Sequence, residues 1–149
     1  MSTATAKEIE IQDLMQKTYN EVWNKRNVDF IDNIIANDVV YHGPSGLEFS
    51  SKEEFKLMVN NFFKAFENTK MTITEQFAKD DVVISRFIYE GIHKGQFQDL
   101  PATNKKVKIT GIEIDRFDHG KVVECWEEFD QLGLMQQLGL ELKSAEMMH

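Results

Sequence analysis

The hydrophobic period changes once along this chain, and that change restricts the folds open to it more than any other feature. Up to Phe66 the apolar residues return at helical spacing: Ile11, Leu14, Met15, Val22 and Trp23, then Phe30, Ile31, Ile34 and Ile35, then Phe55, Met58, Val59, Phe62, Phe63 and Phe66. From Met71 they return at every second residue, as on a strand with one wet face. Helices first and strands afterwards give an α+β chain, with three N-terminal helices packed on one side of a curved antiparallel sheet.

The boundaries follow from local chemistry. A first helix spans about Lys7 to Arg26. A second opens at Asn27, an N-cap type, and stops at Asn37-Asp38; Ser51-x-x-Glu54 reads as a capping box opening the third. Val39-Val40-Tyr41-His42 is a short strand, and Gly43-Pro44-Ser45-Gly46 a loop. Met71 to Phe77 is a strand that turns at Asp80-Asp81. Val82 to Phe97 is apolar on both faces at its start and contains Gly91 and Gly95, so it reads as a long central strand that bends or bulges at its glycines. After a loop from Asp99 to Lys106, a hairpin completes a four-stranded antiparallel meander, and Leu132, Leu134, Met135 and Leu138 suit a short amphipathic helix. A curved sheet half covered by helices leaves a cone, whose open end is a default site for a small apolar ligand.

The hairpin is where chemistry shows. Asp118-His119-Gly120 reads as a three-residue loop, with Gly at the left-handed position. Phe117 then faces Lys121, Glu113 faces Cys125, and Gly111 faces Glu127. In that register Glu113 and Glu127 are diagonal neighbours, with Cβ atoms roughly 7 Å apart. They share their face with Val107, Ile109, Phe117, Val123, Cys125 and Phe129, because side chains alternate with period two. A four-residue loop would instead set Glu113 beside Trp126. Glu113 and Glu127 are the candidate catalytic pair: an apolar wall and a nearby like charge both raise a carboxyl pKa. One shared proton leaves one acid and one base. Glu124 and Trp126 fall on the opposite, convex face, beside the strand that is apolar on both sides, so a homodimer through the sheet is expected.

Composition narrows the remaining classes. At 149 residues, 42% hydrophobic and 28% charged, the chain is expected to form one globular domain over residues 1–149. A net charge of -8 leaves no basic footprint for nucleic acid or anionic membrane. The single cysteine, Cys125, cannot close an intrachain disulfide. The start MSTATAKEIE has no signal-peptide core, and no apolar run reaches the ~20 residues of a membrane span; a cytoplasmic location is expected. Four scattered histidines, His42, His93, His119 and His149, lack ligand spacing, so no metal site is expected. Cys125 is a poor nucleophile, since Glu124 and Glu127 would raise its thiol pKa. His42 and His93 on strands, Phe62 on the third helix and Trp126 are the candidate lining for a small apolar ligand, and His119 and His149 are expected in solvent.

A family resemblance adds to this reading. The run Gly111-x-x-x-x-Arg116, Asp118-x-Gly120-Lys121-Val122-Val123-Glu124-x-Trp126-x-x-x-Asp130, followed by Gln131-Leu132-Gly133-Leu134-Met135-Gln136-Gln137-Leu138-Gly139, resembles the SnoaL-like polyketide cyclases, whose fold is the nuclear transport factor 2-like cone. Val39-Val40-Tyr41-His42-x-Pro44, Ser85-Arg86, Gly91-Ile92-His93-x-Gly95 and Leu100-Pro101-Ala102-Thr103 fit the same pattern. The resemblance covers roughly Leu14 to Gly139. It implies a cofactor-free enzyme that closes a ring by intramolecular aldol condensation of a polyketide ester. Members commonly carry His at the position of Glu113, Asp at that of Glu127, and often His at that of Cys125. Here a general acid/base is retained at Glu127, and its imidazole partner is replaced by a second carboxylate. The other readings open to the chain are a non-catalytic binding or dimerisation module of the same fold, an isomerase, or an epoxide hydrolase, for which Arg86 and Arg116 are the available arginines.

Overall fold

The computed structural model describes residues 3–148. Helix α1 (Ala6–Thr18) starts at Thr5, whose side chain accepts from the Glu8 N–H while Glu8 accepts from the Thr5 N–H. This reciprocal cap satisfies two donors that a helix start would otherwise orphan. The other Glu8 oxygen accepts from the Asp80 N–H at 2.7 Å, which ties the helix to the far end of the sheet. The chain then widens into a π-helix, Tyr19–Asn24, so the expected reach of the first helix is nearly met. Tyr19 and Val22 are buried along that stretch.

The second helix is shorter than its apolar spacing suggests. The Asn27 side chain makes no cap bond, and a 3-10 turn, Val28–Phe30, leads into a four-residue α2 (Ile31–Ile34). β-branched Ile34 and Ile35 carry the chain straight into strand β1 (Ile35–His42). Asn37 and Asp38, expected to stop the helix, instead occupy an exposed irregularity within that strand. After the two-residue β2 (Glu48–Phe49), α3 (Lys52–Ala65) begins at Ser51, whose side chain accepts from the Glu54 N–H at 3.2 Å. The Ser51 hydroxyl also donates to the Glu54 carboxylate, in place of the second backbone bond of a full capping box.

Four long strands follow: β3 (Phe66–Lys79), β4 (Val82–His93), β5 (Lys106–Asp118) and β6 (Lys121–Phe129), with α4 (Gln131–Gln137) after them. They form the expected antiparallel meander, and β1 adds to β6 in parallel while β2 pairs antiparallel with β1. The sheet is therefore six-stranded and mixed, in the order β2-β1-β6-β5-β4-β3. Strand β4 ends at His93 and pairs with β5 without a bulge through Gly91; the irregularities lie in β3, near Asn68 and near Thr74. Gly95 lies beyond the strand, where a Cβ would collide with the Lys64 carbonyl oxygen at the end of α3.

The β5–β6 hairpin corrects the expected register. Asp118 pairs with Lys121, so the turn has two residues, His119 (φ 50) and Gly120 (φ 75). Both take positive φ, as a two-residue turn matching the strand twist requires. The register then slips, so that Phe117 faces Val122 while Arg116 faces Glu124, and Val123 is the extra residue of a bulge. Beyond it Asp115 faces Cys125 and Glu113 faces Glu127 directly. The shorter turn alone would have set Glu113 opposite Trp126; the bulge restores the parity. Val122, and not Val123, is thus the valine buried in the core.

Candidate active site

The inner face of β5 and β6 carries three carboxyl groups. Glu113 and Asp115 are two residues apart on β5 and so point the same way, and Glu127 joins them from β6. Tyr19, turned inward by the π-helix, donates to Glu113 Oε2 at 2.7 Å, and the Cys125 thiol lies 3.5 Å from Glu113 Oε1. Tyr41 donates to Glu127 Oε1 at 2.6 Å. Asp115 is 1% exposed, and its Oδ2 has no partner among the described residues. Glu127 is only partly shielded by area, because the surface it exposes faces internal hollows.

Burial and mutual repulsion set the protonation of this cluster. Burial, then the charge of Glu113, pushes Glu127 up to about 8, against the Tyr41 hydrogen bond, which pulls it down. Asp115 is raised well above the usual carboxylate range by burial first and by Glu113 second. At neutral pH Asp115 and most Glu127 therefore carry protons, which is how a carboxyl survives in a low-dielectric site. Burial likewise raises the Cys125 thiol, followed by Asp115, Glu113 and Glu127, so the cysteine is no nucleophile. Glu124, also expected to contribute to that effect, is on the other face of the sheet. Glu113, Asp115 and Cys125 bring ligand-type atoms within 4.8 Å of one another. The Glu113 oxygens are already engaged by Tyr19 and Cys125, and the raised Asp115 carboxyl and Cys125 thiol hold protons where a cation would need ionised ligands.

Two small hollows adjoin the cluster, and a larger cleft lies beyond them. A cleft of about 630 Å³ opens at the end of the cone between β2, α3 and the end of β6, with Tyr41, Phe49, Met58, Phe62 and Phe129 among its walls. Asn61, Lys64, Gln96, Gln98 and Gln131 give its rim a polar edge. Two inner hollows of about 20 Å³ each touch Glu127, one against Phe87, Tyr89 and Ile109, the other against Tyr19, Tyr41, Glu113 and Asp115. Gly111 helps to shape this floor, since a Cβ there would overlap the Phe87 ring.

The candidate residues divide between the faces. Phe62 lines both the cleft and an inner hollow, and makes edge contacts with Trp23, Tyr89 and Phe129. His42 and Trp126 do not line the cleft. They stack on each other at 5.3 Å on the outer face, where the two His42 ring nitrogens meet Glu48 and Glu124 at 2.9 and 2.8 Å. The reason is strand parity: Tyr41, paired with Cys125, points inward, so His42, paired with Trp126, points outward. His93 is on the inner side but fully buried, with Nδ1 bonded at Thr103 and its ring against Phe66. His119 is exposed in the hairpin turn beside Asp118, and His149 lies outside the described residues. Arg86 and Arg116 are on the outer face, paired with Glu75 and Glu124, so neither joins the carboxylates as an epoxide-hydrolysing site would need.

Residues 13–138 match the family model of the SnoaL-like polyketide cyclases. The chain belongs to that family. Among solved structures, a provisionally named polyketide cyclase of Acidithiobacillus ferrooxidans is 31% identical, with TM-score 0.73 and coverage of 93% of this chain and 97% of that one. A provisionally named SnoaL-like polyketide cyclase of Jannaschia sp. CCS1 is 14% identical yet superposes with TM-score 0.87, over 95% of this chain and 100% of that one. An LEH-like epoxide hydrolase of M. tuberculosis has TM-score 0.70 at 14% identity, over 89% of this chain and 91% of that one, and shares the fold alone. No curated protein matches the sequence. The SnoaL-like cone thus accounts for the mixed sheet and its helices; among the described residues no helix is long and apolar enough to cross a membrane.

Three site residues had escaped the sequence reading. Asp115 was legible, since it is two residues from Glu113 and must share its face. Tyr41 needed the parity of a short strand whose partner to Tyr41, Cys125, is 84 residues further along the chain, and Tyr19 needed a π-helical turn, which apolar spacing does not reveal.

Proposed function

We propose that this protein is a cofactor-independent enzyme of the cyclase type, which moves a proton on a small apolar carbonyl compound and so promotes aldol ring closure. The observation that carries this reading is Glu127: enclosed at the inner end of the cone, held at Oε1 by Tyr41, and titrating at about 8. A carboxylate with that pKa is a far stronger base than one in water, and a carboxylic acid that persists at neutral pH can return a proton. In its ionised form Glu127 takes a proton from the carbon next to a carbonyl. The resulting enolate carbon attacks a second carbonyl of the same molecule, and the alkoxide formed there takes the proton back. Burial first, and the charge of Glu113 second, raise the pKa of Glu127, and Tyr41 fixes the carboxylate in place.

The test needs no knowledge of the natural substrate. Deuterium exchange at the carbon next to the carbonyl of 2-undecanone, followed by NMR, should rise with pH up to about 8 and disappear in Glu127→Gln. Saturable binding of the ketone with no exchange at any pH would sink the enzyme reading in favour of a binding module. The same proposal extends to assembly. The outer face of the sheet carries a row of exposed apolar side chains with ion pairs of both signs around it, which suits a second copy of the chain better than a partner of one charge.

A further inference from the structure

Glu127 lines both inner hollows but not the cleft. A molecule seated in the cleft therefore cannot reach it unless part of the wall between them withdraws. Resting on the function proposed above, the question is which side chain that is.

The walls differ in how firmly they are held. Tyr41 is fully buried, bonded to Glu127 and stacked on Phe49 at 4.5 Å. Phe62 is clasped by Trp23, Tyr89, Phe97 and Phe129 and lies against Phe66. Trp23 makes edge contacts with Phe62, Phe63 and Tyr89. Met58, on α3, lines all three hollows. It is unbranched, has three rotatable bonds and is only partly buried. Rotamer changes of such a side chain take place in nanoseconds or less.

We propose that Met58 is the partition between the cleft and Glu127, and that it decides which substrates reach the carboxylate. When its side chain swings aside, the three hollows join into one passage. Tyr41, Phe62 and Trp23 do not move, so the passage stays narrow. The substrate class that follows has two parts: a larger body with polar edges that stays in the cleft against the amide side chains of its rim, and a slim, unbranched or flat apolar arm. That arm bears the acidic C–H and passes Met58.

Trp23 reports on the passage, because it lines both inner hollows and not the cleft. The chain has two tryptophans, and Trp126 is on the outer face, so a Trp126→Phe background leaves Trp23 as the only indole emitter. The probe is 1-(4-bromophenyl)propan-2-one, a flat ketone whose bromine enters with the acidic C–H and quenches indole on contact. Quenching should be saturable in the parent, strengthened in Met58→Ala, and weakened roughly 10-fold or more in Met58→Phe, a change of size that pocket fit commonly produces. A cooperative thermal melt followed by circular dichroism should be kept in all three, which controls for folding. A branched bromoketone should quench only in Met58→Ala. Equal quenching of parent, Met58→Ala and Met58→Phe, with the melts intact, would overturn the assignment. Quenching that follows the expected order without any deuterium exchange would leave the partition standing and remove the enzyme reading instead.

Discussion

The two faces of the β4–β5–β6 sheet break the usual alternation in opposite senses. The inner face, which should be apolar, carries Glu113, Asp115 and Glu127 among Val107, Ile109 and Phe117. The outer face, which should be polar, carries a row that crosses five strands: Phe77 faces Ile84, Ile84 faces Ile114, Ile114 faces Trp126, and Trp126 pairs with His42. Phe77 is 63% exposed and Trp126 38%. Each departure goes with one of the roles proposed above: a carboxylate in a dry site gains basicity, and an apolar row in water is the surface on which a second copy would sit.

The comparison is sharpest at neighbouring glutamates of β6. Glu127→Gln keeps the volume and removes the titration, so ketone exchange should fall by at least ~10²-fold. Glu124→Gln, which loses bonds to Arg116 and His42 on the outer face, should leave exchange nearly unchanged and lower stability by at most about 1 kcal/mol, as expected of a surface pair. An inactive Glu124→Gln beside an active Glu127→Gln would reverse the roles of the two faces.

Charging the outer row should separate two copies of the chain. Trp126→Glu and Ile112→Glu each place a like charge on both sides of a twofold contact, and sedimentation at micromolar concentration should shift from dimer to monomer while ketone exchange persists. A wild-type protein that sediments as a monomer would remove the partner from the outer face.

The faces should also answer pH in opposite directions, as a smaller effect. Glu127 holds its proton more tightly folded than unfolded, so its contribution to stability is complete below the usual carboxylate pKa of 4.5 and is lost as pH rises through about 8. Asp115 acts in the same sense. Glu124 is held below the usual range, chiefly by its bond to Arg116 and next by His42, so its contribution is present above that range and fades as pH falls. The melting temperature should therefore decline from pH 5 to pH 9, and Glu127→Gln should flatten that decline. An unchanged slope in the variant would mean that Glu127 titrates near its ordinary pKa.

The outline of this molecule was readable in its residues, and the limits of that reading are instructive. The three helical stretches, the meander and the sharing of one apolar face by Glu113 and Glu127 all follow from local periodicity and the expected hairpin. The parallel joining of β1 to β6 does not, because no turn links those strands and no local signal sets their register. That one pairing decides that Tyr41, and not His42, enters the cone. The hairpin is a subtler case: the turn is one residue shorter than expected, and the bulge at Val123 compensates, so the two glutamates share a face as expected but stand directly opposite each other instead of on a diagonal.

The bulge also limits how this protein can vary. Surface hairpins ordinarily tolerate a residue more or less. Here, straightening β6 with Val123 kept would set Val123 opposite Arg116 and leave every side chain beyond that point one step out of phase. Cys125 and Glu127 would be delivered to the solvent, and Trp126 and Glu128 to the interior. Deleting Val123, by contrast, removes the extra residue and keeps Arg116 opposite Glu124 and Glu113 opposite Glu127. A single-codon insertion beside Val123 that the bulge did not absorb would thus discard the carboxylate of the cone and the indole of the outer row together, without changing any residue in either. The spacing between Gly120 and Glu127 thus decides which face the carboxylate occupies, as surely as the residue itself decides that a carboxylate is there.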